Sequence, residues 1–229
     1  MQCGRSVQDM RVVKEANERK NEILDAAERL FGSKGFDHTS TNDILKEVGI
    51  ARGTLYYHFS SKEEILDAMI ERMTRRLIEK ARAIGAQKDI PVLQRLTMMI
   101  LSLNVDDAEL NAKLGRELLA QMHKPENALM HRKMERSLFD GIIPLLTELV
   151  EEGVAQGVCQ TEYPKEAVEM TFLYASTAFD DLMEYRKEER ERKITAFIYH
   201  LERLLNMERD SLKTTMLPIF CRNDGQEIS

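Results

Sequence analysis

Apolar residues recur along the first third of the chain at the spacing of one helix face. Leu24, Ala27, Leu30 and Phe31 follow Ile23 at offsets of 1, 4, 7 and 8, which predicts a helix from about Asn17 to Ser33. Gly32 and Gly35 mark its end, where a residue without Cβ can turn left-handed. Ser40-Thr41-Asn42-Asp43 is a capping signal for a short helix from about Thr41 to Val48, with Ile44, Leu45 and Val48 inward and Gly49 as the stop. A second short helix is predicted from Arg52 to Phe59. Its Leu55 and Phe59, at i and i+4, share the buried face. Ser61 and Glu64 form a second capping box, opening a long helix to about Ile84 that closes near Gly85.

The remainder also reads as helix. Pro91 is expected in the first turn of a helix reaching about Asn104, and another helix runs from Asp106 or Asp107 to before Pro125. A long helical region spans 126–156, and Gly141 and Pro144 are expected to break or kink it. Gly153, Gly157 and Pro164 delimit the next turn, before helices over about 165–186 and 189–209. No alternating run of Val, Ile, Thr and aromatics predicts a strand. The fold class is therefore all-α. Residues 1–16 are expected to be a flexible arm, 17–62 a helix-turn-helix domain, 63–210 a helical body, and 211–229 a tail with no clear pattern and no expected order.

Composition narrows the function. Hydrophobic residues make up 43% of the 229, enough for a sizeable core. Cys3, Cys159 and Cys221 are odd in number and widely spaced, which argues against a disulfide framework or zinc site and for a reducing compartment. No signal-peptide pattern and no membrane-length apolar run is present, so a cytoplasmic, nucleoid-associated protein is expected. The net charge of −6 is unevenly spread. Residues 1–62 hold 10 Lys and Arg against 9 Asp and Glu, a net of +1, and the rest holds 23 against 30, a net of −7. An acidic body repels DNA and leaves the front segment to approach it. There is no nucleotide-binding glycine loop, nucleophile elbow or metal-ligand cluster, so neither an enzyme nor a cofactor is expected. His123 and His131, eight apart, lack an acidic partner at ligand spacing.

The informative stretch is residues 36–66: two short helices separated by a Gly-centred turn and followed by a capped long helix. Opposite Leu55 and Phe59, the second short helix carries Arg52, Gly53, Thr54, Tyr56 and Tyr57. These supply hydrogen-bond donors for base edges, a small residue for close approach, and phenols for phosphates or thymine methyls. Ser40 and Thr41 open the first short helix, where free N–H groups favour an anion. Lys62 and His58 are candidate phosphate contacts.

This stretch resembles the DNA-binding domain of the TetR family of bacterial repressors. The matching residues are Ala27, Leu30, Phe31, Gly35 and Phe36, then Ser40 through Ile44, then Gly49. They continue through Gly53-Thr54-Leu55-Tyr56-Tyr57-His58-Phe59 and Ser61-Lys62-Glu63-Glu64. The resemblance covers roughly residues 17–70, and Asn42 stands where the family often carries Arg. It implies an all-helical homodimer of about nine helices per subunit that binds a pseudo-palindromic double-stranded operator. The last two helices of each subunit would form a four-helix interface, and the middle helices would enclose a pocket whose ligand releases the operator. Residues 149–153 with 156–158 resemble the turn before the family's eighth helix.

Two sets of body residues fit that implication. Ile194, Phe197, Ile198, Leu201, Leu204 and Leu205 form one stripe on the last predicted helix. Its neighbour is apolar over a wide arc that includes Val168, Phe172, Leu173, Ala175, Phe179 and Leu182. The stripe, Phe179 and Leu182 are expected at a subunit interface, with intramolecular core as the other reading. Met98, Met99, Met122, Met130, Met134, Phe139, Phe172 and Met183 are candidates to line an adaptable pocket for a small apolar or amphipathic effector, with core filling as the other reading. The alternative to a ligand-gated regulator is a helical DNA-binding or interaction scaffold without gating.

Overall fold

The computed structural model describes residues 7–102, 127–179 and 185–220. These form nine helices: α1 (Val7–Lys34), α2 (Thr41–Val48), α3 (Arg52–His58), α4 (Lys62–Gly85), α5 (Val92–Ser102), α6 (Ala128–Ala155), α7 (Pro164–Ala178), α8 (Lys187–Leu204) and α9 (Lys213–Phe220). No strand occurs among the described residues, and none of their helices is long and apolar enough to cross a membrane. The helix expected between Asp106 and Pro125 lies outside the described residues, as do His123, Met122, Leu182 and Met183.

The described residues divide into two compact units. Residues 7–73 and 127–134 form the first, and 74–102, 135–179 and 185–220 the second. The division falls inside α4 and inside α6, so each of these helices contributes to both units.

In the first unit, the face read from the α1 periodicity is the buried one: Ile23, Leu24, Ala27, Leu30 and Phe31 are all buried. Ile44 of α2, Leu55 of α3 and Ile65, Leu66 and Met69 of α4 are buried as well. Arg72 of α4 donates to Asp25 at 2.6 Å and Glu28 at 2.8 Å, tying α4 to α1. Helix α1 starts at Val7, ten residues before the expected Asn17. Residues 7–19 carry no apolar stripe to read, but Met, Arg, Lys, Glu and Ala, which sustain helix, dominate them.

In the second unit, Arg95 of α5 is fully buried. It donates to the carbonyls of Ile90 and Gly85, both at 2.9 Å, and pairs with Glu152 of α6. One guanidinium thus satisfies the end of α4, a loop and a carboxylate. Pro91 precedes α5, with its carbonyl accepting from Arg95 N at 3.0 Å, one position ahead of the expected first turn.

Helix α6 runs without a break through Gly141 and Pro144, contrary to the expected interruption. Pro144 and Asp140, the residue four back whose carbonyl a proline cannot pair, are both exposed, while Ile142, Ile143, Leu145 and Leu146 are buried. A Cβ at Gly141 would overlap the Ile78 side chain, so this glycine permits close approach of α4.

The tail expectation also fails in part: residues 213–220 form α9, and Leu212 and Met216 are fully buried. The buried Glu202 carboxylate starts that helix, accepting from the backbone N–H of Asp210 at 3.0 Å, Leu212 at 2.9 Å and Lys213 at 3.3 Å. Its acceptor lies eight or more residues away, beyond the reach of a local pattern.

Candidate nucleic-acid interface

The turn between α1 and α2 is built from backbone requirements. Gly35 has φ of 88°, a conformation side chains disfavour, and its N–H donates to Phe31 O at 3.0 Å. Thr39 Oγ1 donates to Gly35 O at 2.8 Å, and the buried Asn127 accepts from Phe36 N through Oδ1 at 2.7 Å. Asn127 is 91 residues away and precedes α6. No signal in the sequence marks it as part of this unit.

Helix α2 has the expected capping box. Asp43 N donates to Ser40 Oγ at 3.2 Å, and Ser40 N donates to Asp43 Oδ2 at 2.9 Å. The Ser40 hydroxyl also donates to Asp43 Oδ2 at 2.6 Å. These side-chain and backbone bonds from Ser40 hold the Asp43 carboxyl down at about 2, with Lys34 adding a smaller electrostatic pull. An anion already caps this helix start, so Ser40 is committed within the chain. Thr41 and Asn42 are the first two residues of the helix, half-buried and exposed respectively. Gly49, at φ 71°, closes the helix and donates to Leu45 O at 2.9 Å.

Helix α3 presents the two faces its sequence implies. Leu55 and Phe59 are buried, whereas Arg52 and Gly53 are exposed, Tyr56 is 42% exposed and Tyr57 80% exposed. Tyr56 is not a free phenol. Hydrogen bonds with Arg52 and then Thr41 lower its pKa from the ordinary 10.0, and the Arg52 guanidinium lies 5.5 Å from its ring centroid. The first residue of α2 and two residues of α3 are therefore joined on one surface. Tyr57 meets His58 edge to face at 5.0 Å, while Thr54 and His58 are half-buried.

Lys62 stands apart from the others. Its Nζ donates to Phe36 O at 2.8 Å and sits 4.1 Å from the Phe36 ring centroid. It ties α4 to the α1–α2 turn, so the structure gives it a bracing partner where a free phosphate contact was expected. The second capping box is also modified: Glu64 N donates to Ser61 Oγ at 3.1 Å, but the Glu64 carboxylate accepts from Ser60 N and Ser60 Oγ, both at 2.6 Å.

The body residues sort differently from their expected roles. Ile194, Phe197, Ile198, Leu201 and Leu205 are buried in the core of their own chain, beside Leu96, Leu146, Val150 and Val168. Their stripe meets intramolecular neighbours, which corrects the interface reading for these five. Phe179 packs partly against the same core, and Leu204 is exposed. The large apolar residues exposed on these two helices are Met170, Leu173 and Tyr174 of α7 and Tyr199 and Leu204 of α8.

A cavity of about 80 Å³ opens among α5, α6, α7 and α8. Of the expected pocket residues that are described, Phe172 alone lines it; the Phe139 ring lies 5.7 Å from that of Phe172 between centroids. Met99 is fully buried in the core and Met98 packs partly against it, while Met130 and Met134 are buried in the first unit. Met99, Met130 and Met134 thus fill cores, and aliphatic and aromatic side chains line the cavity.

Comparison with known proteins agrees across most of the chain. Residues 23–69 match the model of bacterial regulatory proteins of the tetR family, and residues 111–199 match the tetracyclin repressor-like C-terminal domain. The HTH-type transcriptional regulator TtgR of Pseudomonas putida is 28% identical over 125 residues, covering 55% of each protein. The match thus spans about half the length of that relative. YfiR of Bacillus subtilis, also an HTH-type transcriptional regulator, is 28% identical over 163 residues, covering 69% of this chain and 76% of YfiR. The fold matches that of the fatty acid degradation regulator FadR from Bacillus halodurans with a TM-score of 0.58 at 22% identity, covering 82% of this chain and 94% of that one.

Proposed function

Because this chain belongs to the tetR family of bacterial regulatory proteins, we propose that it is a cytoplasmic, sequence-specific DNA-binding repressor, homodimeric and released from its operator by a small molecule. The observation that carries the reading is the outward polar face of α3, with Tyr57 80% exposed, Tyr56 42% exposed and the Arg52 guanidinium 5.5 Å from the Tyr56 ring centroid. Arg52, Gly53, Tyr56 and Tyr57 enter the major groove. Thr41, Asn42, Thr54 and His58 flank them at the backbone, and Lys62 braces the turn behind.

Two such helices, one from each subunit, read half-sites about 34 Å apart. The subunits pair through the exposed apolar residues of α7 and α8, Leu173, Tyr174 and Leu204 among them. An effector bound in the body biases it toward one conformation, and α4 and α6, which both run into the DNA-binding unit, carry the difference. A coupling of about 1–3 kcal/mol changes operator affinity about 5–150-fold.

Selection of bound duplexes from random DNA tests the reading, followed by anisotropy titration of the winning sequence. Wild-type protein is expected to select a pseudo-palindrome. Tyr57→Ala should weaken binding about 5–150-fold, the loss of about 1–3 kcal/mol typical of a base contact. Equal affinity of variant and wild type would remove α3 as the reading element.

A further inference from the structure

Phe36 is buried in the turn that leads to α2, four residues before the Ser40 cap, and is held from several sides. Its carbonyl accepts from Lys62 Nζ at 2.8 Å and from Thr39 N at 3.2 Å. Its ring meets that of Phe31 in α1 edge to face at 5.2 Å. Its N–H donates to Asn127 Oδ1 at 2.7 Å. Lys62, Thr39 and Phe31 belong to the segment that runs from α1 to the start of α4. Asn127 does not. It lies 91 residues on, immediately before α6, a helix whose later residues belong to the second unit.

A buried amide is costly unless its polar atoms are paired, and the pairing specifies one placement where apolar packing tolerates several. Asn127 therefore fixes the start of α6 and the α1–α2 turn against each other. Being fully buried, it does not touch a duplex, so any effect it has on DNA passes through Phe36. The turn passes the constraint on: Thr39 Oγ1 donates to Gly35 O at 2.8 Å, Ser40 caps α2, and only Gly49, Ile50 and Ala51 separate α2 from α3. A binding element has to be held within about 0.5 Å of its productive placement.

We propose that Asn127 is a positioning residue for operator binding, which together with Lys62 pins Phe36 and so sets the placement of α2 and α3. The assignment rests on the DNA-binding reading of α3. Without the Asn127 bond the turn populates further placements, and affinity falls in proportion to the fraction that stays competent. The contacts to DNA are themselves intact, so the salt dependence of binding does not change. Removing a lysine that neutralised a phosphate would instead take about one unit off the salt slope.

The full chain is compared with Asn127→Ala, Asn127→Asp, Lys62→Met and Ile23→Val. Operator affinity is measured over a range of salt, at a temperature where circular dichroism shows each protein folded. Asn127→Ala and Lys62→Met should each bind about 5-fold or more weakly, the lower end of what one buried hydrogen bond imposes, at the wild-type salt slope. Asn127→Asp keeps an oxygen acceptor for Phe36 N–H and should bind more tightly than Asn127→Ala. Ile23→Val trims a fully buried side chain of the same unit, so it should melt earlier and yet bind as wild type does. Wild-type affinity in Asn127→Ala, even with a lowered melting temperature, would overturn the positioning role. So would equal weakening in Ile23→Val, or Asn127→Asp no tighter than Asn127→Ala. A slope reduced by about one in Lys62→Met would make that lysine a phosphate contact and remove it from the pin. Should Asn127→Ala not fold, Lys62→Met decides: weaker binding at an unchanged slope supports the pin on Phe36, and undiminished binding overturns it. Failure of the wild-type protein to bind any duplex would instead sink the DNA-binding reading, while hydrogen exchange at Phe36 still reports the Asn127 bond.

Discussion

Gly53→Ala separates what α3 needs for folding from what it needs for binding. A Cβ built at Gly53 meets nothing within 4 Å, and its φ is not in the positive range. Nothing in the chain therefore requires a glycine here. Alanine is favoured over glycine in a helix by about 0.5–1 kcal/mol, so the variant should be the more stable protein. For a chain of this size that raises the melting temperature by about 1–4 °C. Binding should move the other way. If the α3 backbone approaches DNA closely at this point, a methyl group forces the surfaces apart. Overpacking a close contact costs about 1–3 kcal/mol, or about 5–150-fold in operator affinity.

Thermal denaturation and an anisotropy titration on the same sample read the two effects. Gly49→Ala is the control. Its Cβ also meets nothing within 4 Å, but φ is +71°, so alanine there is strained by about 1–2 kcal/mol and lowers stability. Gly53→Ala binding its operator as tightly as wild type would refute the close approach. A lowered melting temperature would refute the claim that the fold does not need this glycine.

The remaining predictions probe the supports of the site and the body. Asn127→Ala leaves the buried Phe36 N–H without its acceptor, which should destabilise the first unit by about 1–3 kcal/mol; faster hydrogen exchange at Phe36 is the readout, and unchanged protection would count against the contact. Bonds from Arg95 and then Lys88 hold the Glu152 carboxyl down at about 2, against an ordinary 4.5. A depressed carboxylate contributes stability above its unfolded value that is lost as pH falls through the folded one, so wild type should weaken between about pH 4.5 and 2. Acid denaturation of Glu152→Gln should show a shallower decline over that window. Leu173→Glu with Tyr174→Glu should yield folded monomers by light scattering, since both residues are exposed, whereas Leu201→Glu should unfold the body because Leu201 is buried in the core.

Several residues show how far a local pattern reaches. The bounds of α2, its Ser40–Asp43 box and the Gly49 stop follow from the sequence because each bond closes within a few residues. The division of α3 into a buried Leu55–Phe59 side and an exposed tyrosine side follows from helical spacing alone. Lys62 illustrates the limit. A cation at a helix start reads as a phosphate contact, yet its partner is Phe36 O, 26 residues back. Asn127 and Glu202 show the same limit, since each is an ordinary polar residue until the fold supplies backbone N–H groups to accept from.

The apolar stripe of α8 marks the deepest division. Its periodicity fixes which side of the helix leaves water, because that depends only on residue spacing. Whether Ile194, Phe197 and Leu201 meet their own chain or a second copy is not encoded in that spacing, since apolar burial has no preferred direction and rewards either partner. Tertiary packing decided it. The same packing kept α6 continuous through Pro144, ordered α9 on the Glu202 carboxylate, and left a small cavity walled by hydrocarbon. The exposed polar face of α3 was legible in the sequence because helical spacing alone defines it. The body's interior was not, because it required helices far apart in the chain to meet.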